Sequence, residues 1–138
     1  MSQDRKPPRI FVVDDEPTIS STLALVLSKE GFDSRSFCAA LEALQAARFE
    51  VPDLLITDLA MPGMSGIQLA LEFRRNYPDS KVLLFSGHSR CEELIAEGKA
   101  AGYTFDCLSK PVDPAELLRV VRDLISEISE PAVTCKTR

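Results

Sequence analysis

The sequence lacks an uninterrupted apolar stretch long enough to span a bilayer, and residues 1–9 lack the apolar core of a secretion signal. We therefore expect a cytoplasmic protein. Positive charge is also scarce, because 16 Lys and Arg stand against 21 Asp and Glu, a formal net charge of -5. An acidic chain has no general attraction to phosphate backbones or anionic membranes, so direct nucleic-acid binding is not expected.

Ligands for soft metals are few. Histidine occurs once, at His88, and the four cysteines, Cys38, Cys91, Cys107 and Cys135, are widely spaced and form no C-x-x-C pair. A zinc site is therefore not expected. We interpret the cysteines as small, reduced hydrophobic residues.

The composition is that of an ordinary folded domain. The 138 residues are 45% hydrophobic and 27% charged, with no internal repeat and no low-complexity segment. A chain of this length buries enough surface for one full core without disulfide or metal support. We predict a single domain over residues 1–138, with a core from about 9 to 128 and a C-terminal tail at 129–138.

Short β-branched or aromatic runs alternate with helical patterns five times. The predicted strands are 10–13, 34–37, 54–57, 82–85 and about 105–109. The predicted helices run from Pro17 to a stop at Gly31, over 39–47, 67–77 and 92–101, and from 113 or 114 to about 128. Such alternation predicts an α/β fold, a parallel sheet covered by helices on both faces in a three-layer αβα sandwich.

Polar side chains follow four of the five predicted strands. Asp14 and Asp15 follow the first strand, Asp58 the third, Ser86 the fourth and Lys110 the fifth. Parallel strands end at one edge of a sheet, and ligands of open α/β sheets bind beyond the carboxyl ends of the strands. The sequence therefore predicts one site built from these residues.

Three carboxylates in one small site repel one another unless a cation lies between them. Mg²⁺ suits the site because it prefers oxygen ligands and commonly binds through one or two carboxylates and a phosphate oxygen. Asp58 stands alone at its strand end and is the best candidate for a nucleophile that attacks phosphorus. Lys110 and Ser86 could then contact oxygens of the transferred phosphoryl group.

Each of these features also has a simpler interpretation. Paired aspartates before a helix commonly act as a cap, and an aspartate before Met61-Pro62-Gly63 suits a turn. Ser86-Gly87 and Lys110-Pro111 suit a turn and a strand exit. The joint pattern favours a single site, because otherwise four unrelated polar features would all have to fall at carboxyl ends of strands by chance.

Three segments resemble the receiver domain of bacterial two-component response regulators. They are residues 11–17 (FVVDDEP), residues 53–66 (DLLITDLAMPGMSG) and residues 108–111 (LSKP). The resemblance covers about residues 9–128. It implies a flavodoxin-like fold with a five-stranded parallel sheet in the order 2-1-3-4-5 and five helices.

The resemblance also implies a role for each site residue. A sensor histidine kinase or phosphotransfer protein would phosphorylate Asp58, and Ser86 and Lys110 would respond to the phosphoryl group. Mg²⁺ would be the cofactor, held by Asp14, Asp15, Asp58 and the backbone carbonyl of Ala60. The protein would be a signalling switch rather than an enzyme acting on other molecules.

The output of such a switch would be a changed protein-binding face. The resemblance places that face on the fourth helix, fifth strand and fifth helix, about residues 91–128, with a downstream protein as target. The protein would be a monomer or a phosphorylation-dependent dimer. Phosphorylation would shift the population between two conformations rather than create a new fold.

Two features depart from the family pattern. Cys107 occupies the position where the family usually has a switch aromatic, so either Phe105 or Tyr103 substitutes for it or the aromatic coupling is missing. Ala60 and His88 occupy the positions that tune how long the phosphoryl group lasts. Because alanine leaves room for water, we expect a short-lived phosphorylated state.

Three other functions compete with this interpretation. A metal-dependent phosphohydrolase would need a second aspartate two residues after the nucleophile, where this chain has Ala60, and a substrate-capping insertion. A receiver-like module without phosphorylation would not need the full set of site residues. A piece of a longer DNA-binding regulator would look the same, although the short tail and acidic charge favour a stand-alone protein.

Overall fold

The computed structural model describes residues 6–59, 61, 63–86, 93, 96, 100, 106–109 and 112–129. The side chains of Ile128 and Ser129 are outside this description. The strands are β1 (Arg9–Val13), β2 (Asp33–Phe37), β3 (Leu54–Asp58), β4 (Lys81–Ser86) and β5 (Asp106–Ser109). The continuous helices are α1 (Pro17–Lys29), α2 (Ala40–Ala47), α3 (Gly66–Asn76) and α4 (Pro114–Ser129).

The five strands form one parallel sheet in the order β2-β1-β3-β4-β5. This order confirms the predicted flavodoxin-like arrangement. The helix predicted over 92–101 falls mostly outside the described residues, although its three described positions, Glu93, Ala96 and Ala100, have helical backbone.

Alternate residues of the strands enter two hydrophobic clusters on opposite faces of the sheet. In β1, Phe11 and Val13 belong to the first cluster, whereas Ile10 and Val12 belong to the second. The first cluster includes buried residues of α2 and α3, and the second includes buried residues of α1 and α4. Because both faces are covered, the central strands carry uninterrupted apolar runs, at residues 10–13, 54–56 and 82–85, and the molecule has three layers.

Local sequence explains where the helices begin and end. Pro17 occupies the first turn of α1, where its missing N–H costs nothing, and Gly31 follows α1 with a φ of 96° that favours glycine. Ser65 starts α3 with a capping box, in which its hydroxyl accepts from the Gln68 backbone and the Gln68 side chain accepts from the Ser65 backbone. None of the described helices is long and apolar enough to cross a membrane.

Candidate functional site

The register of the sheet places Asp14 beside Asp58. Val13 pairs with Thr57, so the residues that follow them lie side by side at the carboxyl edge of the sheet. Asp14 is fully buried and Asp58 is 5% exposed, whereas Asp15 is exposed. Carboxylate oxygens of the three aspartates lie within 4.8 Å of one another. The structure therefore brings together three of the residues that the sequence assigned to one site.

The backbone around Asp14 fixes the position of its carboxylate. The Asp14 N–H donates to the Phe37 carbonyl at 3.1 Å, which extends the pairing of β1 with β2 by one residue. Its Oδ1 atom accepts from the Glu16 N–H at 2.9 Å, and Glu16 is the N-cap residue of α1. One carboxylate oxygen thus supports the turn that leads into α1, although it does not cap the helix, because α1 has no side-chain hydrogen bond at its N-cap.

Asp58 is the last residue of β3 and pairs with Phe85 of β4. The next residue continues this contact, because the Leu59 N–H donates to the Phe85 carbonyl at 3.2 Å. The Thr57 hydroxyl donates to the Asp58 carbonyl at 2.9 Å. The backbone on both sides of Asp58 is therefore held to the sheet, which fixes the point from which its side chain extends.

Gly66, the first residue of α3, packs directly against the backbone of Asp58. A Cβ atom at this position would lie 2.7 Å from the Leu59 Cα and would collide with the Asp58 carbonyl oxygen. The Gly66 N–H also donates to the Leu59 carbonyl at 3.0 Å, which closes the base of the loop between β3 and α3. Sequence reasoning missed this contact, for which a glycine at the start of a helix was a weak signal.

Ser86 ends β4 at the same edge and is 6% exposed. It lies one residue beyond Phe85, the partner of Asp58, and pairs in register with Ser109 of β5. Lys110 follows Ser109 in the sequence but lies outside the described residues, as does Ala60. The structure thus places Ser86 on the predicted edge, while the placement of Lys110 and Ala60 stays a prediction.

Cys107 lies in β5 opposite Leu84 and is half-buried against the first hydrophobic cluster. The prediction that all cysteines are reduced was wrong for this residue, because Cys107 is disulfide-bonded. Cys38 is a free, exposed thiol. Tyr103, Phe105 and His88 also lie outside the described residues, so the question of the switch aromatic stays open.

The three aspartates suit a hard divalent cation. Mg²⁺ holds oxygen ligands at about 2.0–2.1 Å, so ligands on opposite sides of one ion lie about 4 Å apart. Carboxylate oxygens within 4.8 Å of one another approach this spacing, and no sulfur or nitrogen ligand joins them among the described residues. A cation between them would also offset the repulsion of three like charges, two of which are buried.

The acidic cluster beyond β1 and β3 lies at the carboxyl edge of a parallel αβα sandwich, which is where proteins of this fold class bind their ligands. The model of one such family, the response regulator receiver domain, matches residues 10–122. The chain belongs to this family. It is therefore a phosphorylatable switch in signal transduction, and its family generally binds Mg²⁺ in an acidic pocket.

The curated relatives are longer transcriptional regulators. The chain is 32% identical over 127 residues to the transcriptional regulatory protein GlrR of Escherichia coli, covering 92% of this chain and 28% of that protein. It is 31% identical over 121 residues to the DNA-binding transcriptional regulator NtrC of Proteus hauseri, covering 88% of this chain and 25% of that protein. The chain thus spans about a quarter of the length of these relatives.

Solved structures of similar length share the fold. The chemotaxis response regulator CheY4 of Vibrio cholerae superposes with a TM-score of 0.77 at 27% identity, covering 86% of this chain and 99% of that one. A CheY-like receiver domain protein from Methanospirillum hungatei gives a TM-score of 0.81 at 26% identity, covering 89% of this chain and 97% of that one. Both alignments span nearly the whole of the other chain.

Proposed function

We propose that Asp58 is the phosphoryl acceptor of this receiver domain and that Asp14, Asp15 and Asp58 bind Mg²⁺ together with the backbone carbonyl of Ala60. One observation carries the proposal, the meeting of the three carboxylates within 4.8 Å. The backbone of Asp58 is bound to Thr57 and, through Leu59, to β4, which fixes the point from which the Asp58 side chain extends.

In the proposed reaction a carboxylate oxygen of Asp58 forms a bond to the phosphorus of a phosphohistidine or a small acyl phosphate. The bond between phosphorus and the donor nitrogen or oxygen breaks, and its electron pair leaves with the donor. The product is an aspartyl phosphate. A bound Mg²⁺ would neutralise negative charge on the phosphoryl oxygens.

Ser86 and Lys110 are proposed to bind oxygens of the phosphoryl group. Ser86 ends the strand next to β3, so a hydroxyl that moves toward Asp58 would pull the end of β4 with it. Lys110 follows β5 and would act as a point charge. These movements would change the surface of residues 91–128, which is the proposed docking face for a downstream protein and for a phosphorylation-dependent dimer.

The proposed phosphoryl donor is a sensor histidine kinase or a phosphotransfer protein in the cytoplasm.

We further propose that residues 9–128 form the domain core and that this chain acts through protein contacts without binding DNA directly. Its net charge of -5 supports this. The names of two relatives describe regulation of transcription, and NtrC is named as DNA-binding. A mobility-shift assay at low salt would therefore decide the matter, and tight binding to DNA would overturn this part of the proposal.

A phosphohydrolase that turns over small phosphate esters is the alternative. It is not favoured because Ala60 stands two residues after Asp58, where that chemistry needs a second aspartate. Steady turnover of a generic phosphate ester by the purified protein would revive it. A receiver shows only its own phosphorylation and dephosphorylation.

The decisive experiment is incubation with Mg²⁺ and a small acyl phosphate, followed by intact-mass and peptide mass spectrometry. We expect one phosphoryl group on Asp58 in the wild type and none in Asp58→Asn. Asp79→Asn is the matched control, because Asp79 is an exposed aspartate in the turn before β4. An unmodified wild type, or a phosphoryl group on another residue, would refute the assignment of Asp58.

A further inference from the structure

Gly66 lies where the first turn of α3 meets the end of β3. The backbones of Asp58 and Leu59 approach it so closely that any side chain would displace one of the two elements. Flexible side chains could yield to an added methyl group, but the atoms it would meet are backbone atoms at the end of the sheet. The absence of a side chain is therefore a geometric requirement at this position.

The same residue closes the loop that follows Asp58. The Gly66 N–H donates to the Leu59 carbonyl, and the Leu59 N–H donates to the Phe85 carbonyl. The loop thus leaves the sheet and returns to it at a single residue, Leu59. Met61 and Met64, two described residues of this loop, pack against the first hydrophobic cluster.

The start of α3 is also independently stabilised. Ser65 and Gln68 form a complete capping box, which holds the first turn of α3 in one orientation. Because Gly66 is the next residue after Ser65, this box also fixes the approach of Gly66 to Asp58. The cap, the close contact and the loop closure all act on the backbone that carries the proposed acceptor.

We propose that Gly66 is a positioning residue for phosphoryl transfer, because its missing side chain lets α3 press on the Asp58 backbone and fixes the acceptor and the adjoining loop. The inference rests on the proposed role of Asp58. Gly66 does not contact the phosphoryl group. It acts by keeping the Asp58 carboxylate and the neighbouring residue Leu59 in the geometry that the reaction needs.

The test compares Gly66→Ala with Gly31→Ala. Gly31 also has a backbone that favours glycine, with a φ of 96°, but a Cβ there would meet nothing within 4 Å. It follows α1 near the start of β2, at the opposite edge of the sheet from Asp58. Alanine at Gly31 therefore introduces backbone strain without touching the site.

The measurement is the initial rate of Asp58 phosphorylation by a small acyl phosphate as a function of Mg²⁺ concentration, at a temperature where circular dichroism shows both variants folded. For Gly66→Ala we expect the maximal rate to fall on the order of tenfold or more, since a misplacement of about 1 Å can cost more than that. We also expect a higher half-saturating Mg²⁺ concentration. Gly31→Ala should keep both values even if its melting temperature falls.

If Gly66→Ala shows the same two values as Gly31→Ala, the positioning role is wrong while the acceptor role of Asp58 stands. A wild type that is not phosphorylated on Asp58 would refute both. If Gly66→Ala does not fold, Ser65→Ala decides, because it removes the cap without adding an atom. Its rate should then fall severalfold below that of Ser126→Ala, an exposed serine of α4, and equal rates would overturn the proposal.

Discussion

The carboxylate of Asp53 binds the first residue of the neighbouring strand, Arg9. Asp53 Oδ2 accepts from the Arg9 N–H at 2.8 Å, and the Asp53 N–H donates to the Arg9 carbonyl at 2.7 Å. The Asp53 carbonyl accepts in turn from the Lys81 N–H at 2.9 Å. A single residue thus aligns the starts of β1, β3 and β4, at the edge opposite the acidic cluster.

We therefore expect Asp53→Ala to lower the free energy of unfolding by about 1.5–3 kcal/mol, the usual contribution of a hydrogen bond to a charged group. Urea titration of the purified protein measures the change. Asp33→Ala is the control, because Asp33 is exposed and its contact with Arg9 is a longer ion pair of 3.8 Å. Surface pairs of this kind contribute about 0–1 kcal/mol. Equal losses in both variants would contradict the special role of Asp53.

Mg²⁺ should stabilise the folded wild type against unfolding, and this stabilisation should be absent in the Asp14→Asn variant. The asparagine can still accept the hydrogen bond from Glu16 N–H, so the turn into α1 is kept while a charged metal ligand is removed. At an ion concentration about 100 times the Kd, stabilisation should be about 2.7 kcal/mol. Melting curves with and without Mg²⁺ measure it, and Asp79→Asn serves as the control. An equal Mg²⁺ shift in Asp14→Asn would argue against the metal site.

The Ser86→Ala variant should still accept a phosphoryl group on Asp58, but phosphorylation should no longer change the conformation of β5 and α4. A hydrogen bond to a charged group contributes about 1.5–3 kcal/mol, which is about tenfold or more in a two-state equilibrium. Phosphorylation-dependent shifts of backbone amide signals in β5 and α4 should therefore shrink. Ser109→Ala is the matched control, because Ser109 pairs with Ser86 in register but is exposed. Full signal shifts in Ser86→Ala would remove Ser86 from the mechanism.

Asp106 should give stability a pH dependence of its own. Partial burial raises the pKa of Asp106 above its ordinary value of 3.8, and the negative charge of Glu127 raises it further, outweighing the nearby cations Lys81 and Arg74. The folded protein therefore binds the Asp106 proton more tightly than the unfolded chain does. Stability from this group is lost as pH rises from 3.8 through the raised pKa.

Asp106→Asn should consequently be more stable than the wild type near neutral pH, and the difference should shrink as the solution is acidified below the raised pKa. The effect should be small, because Asp106 is only partly buried and solvent still screens its charge. Urea titrations at several pH values measure it, with Asp123→Asn on the exposed face of α4 as the control. A difference that does not change with pH would show that charge at Asp106 is not the cause.

The parts of the fold that depend on local pattern could be predicted from the sequence. The apolar run at 54–57 predicted β3, although the strand continues through Asp58, because Asp58 still pairs with Phe85. The predicted stop of α1 at Gly31 agrees with the observed end at Lys29. The order of the strands came from the resemblance and not from periodicity, which identifies strands but does not order them.

The contact of Gly66 with Asp58 could not be predicted, because it depends on how closely α3 approaches β3 in space. One local signal was present, since Ser65 and Gln68 have the S-x-x-Q spacing of a capping box. The disulfide of Cys107 was also missed, because two cysteines can pair only if they are close in space, and spacing along the chain does not show this. The roles of Lys110 and Ala60 stay predictions.

The adjacency of β1 and β3 has a consequence for how the protein acquires its activity. Asp14 follows β1 and Asp58 ends β3, and these strands are separated along the chain by α1, β2 and α2, so neither a hairpin nor any single helix can bring the two residues together. Ion affinity should therefore arise only after this crossover has docked. An incompletely folded or misfolded chain would then be unable to accept a phosphoryl group, because the site exists only in the folded domain.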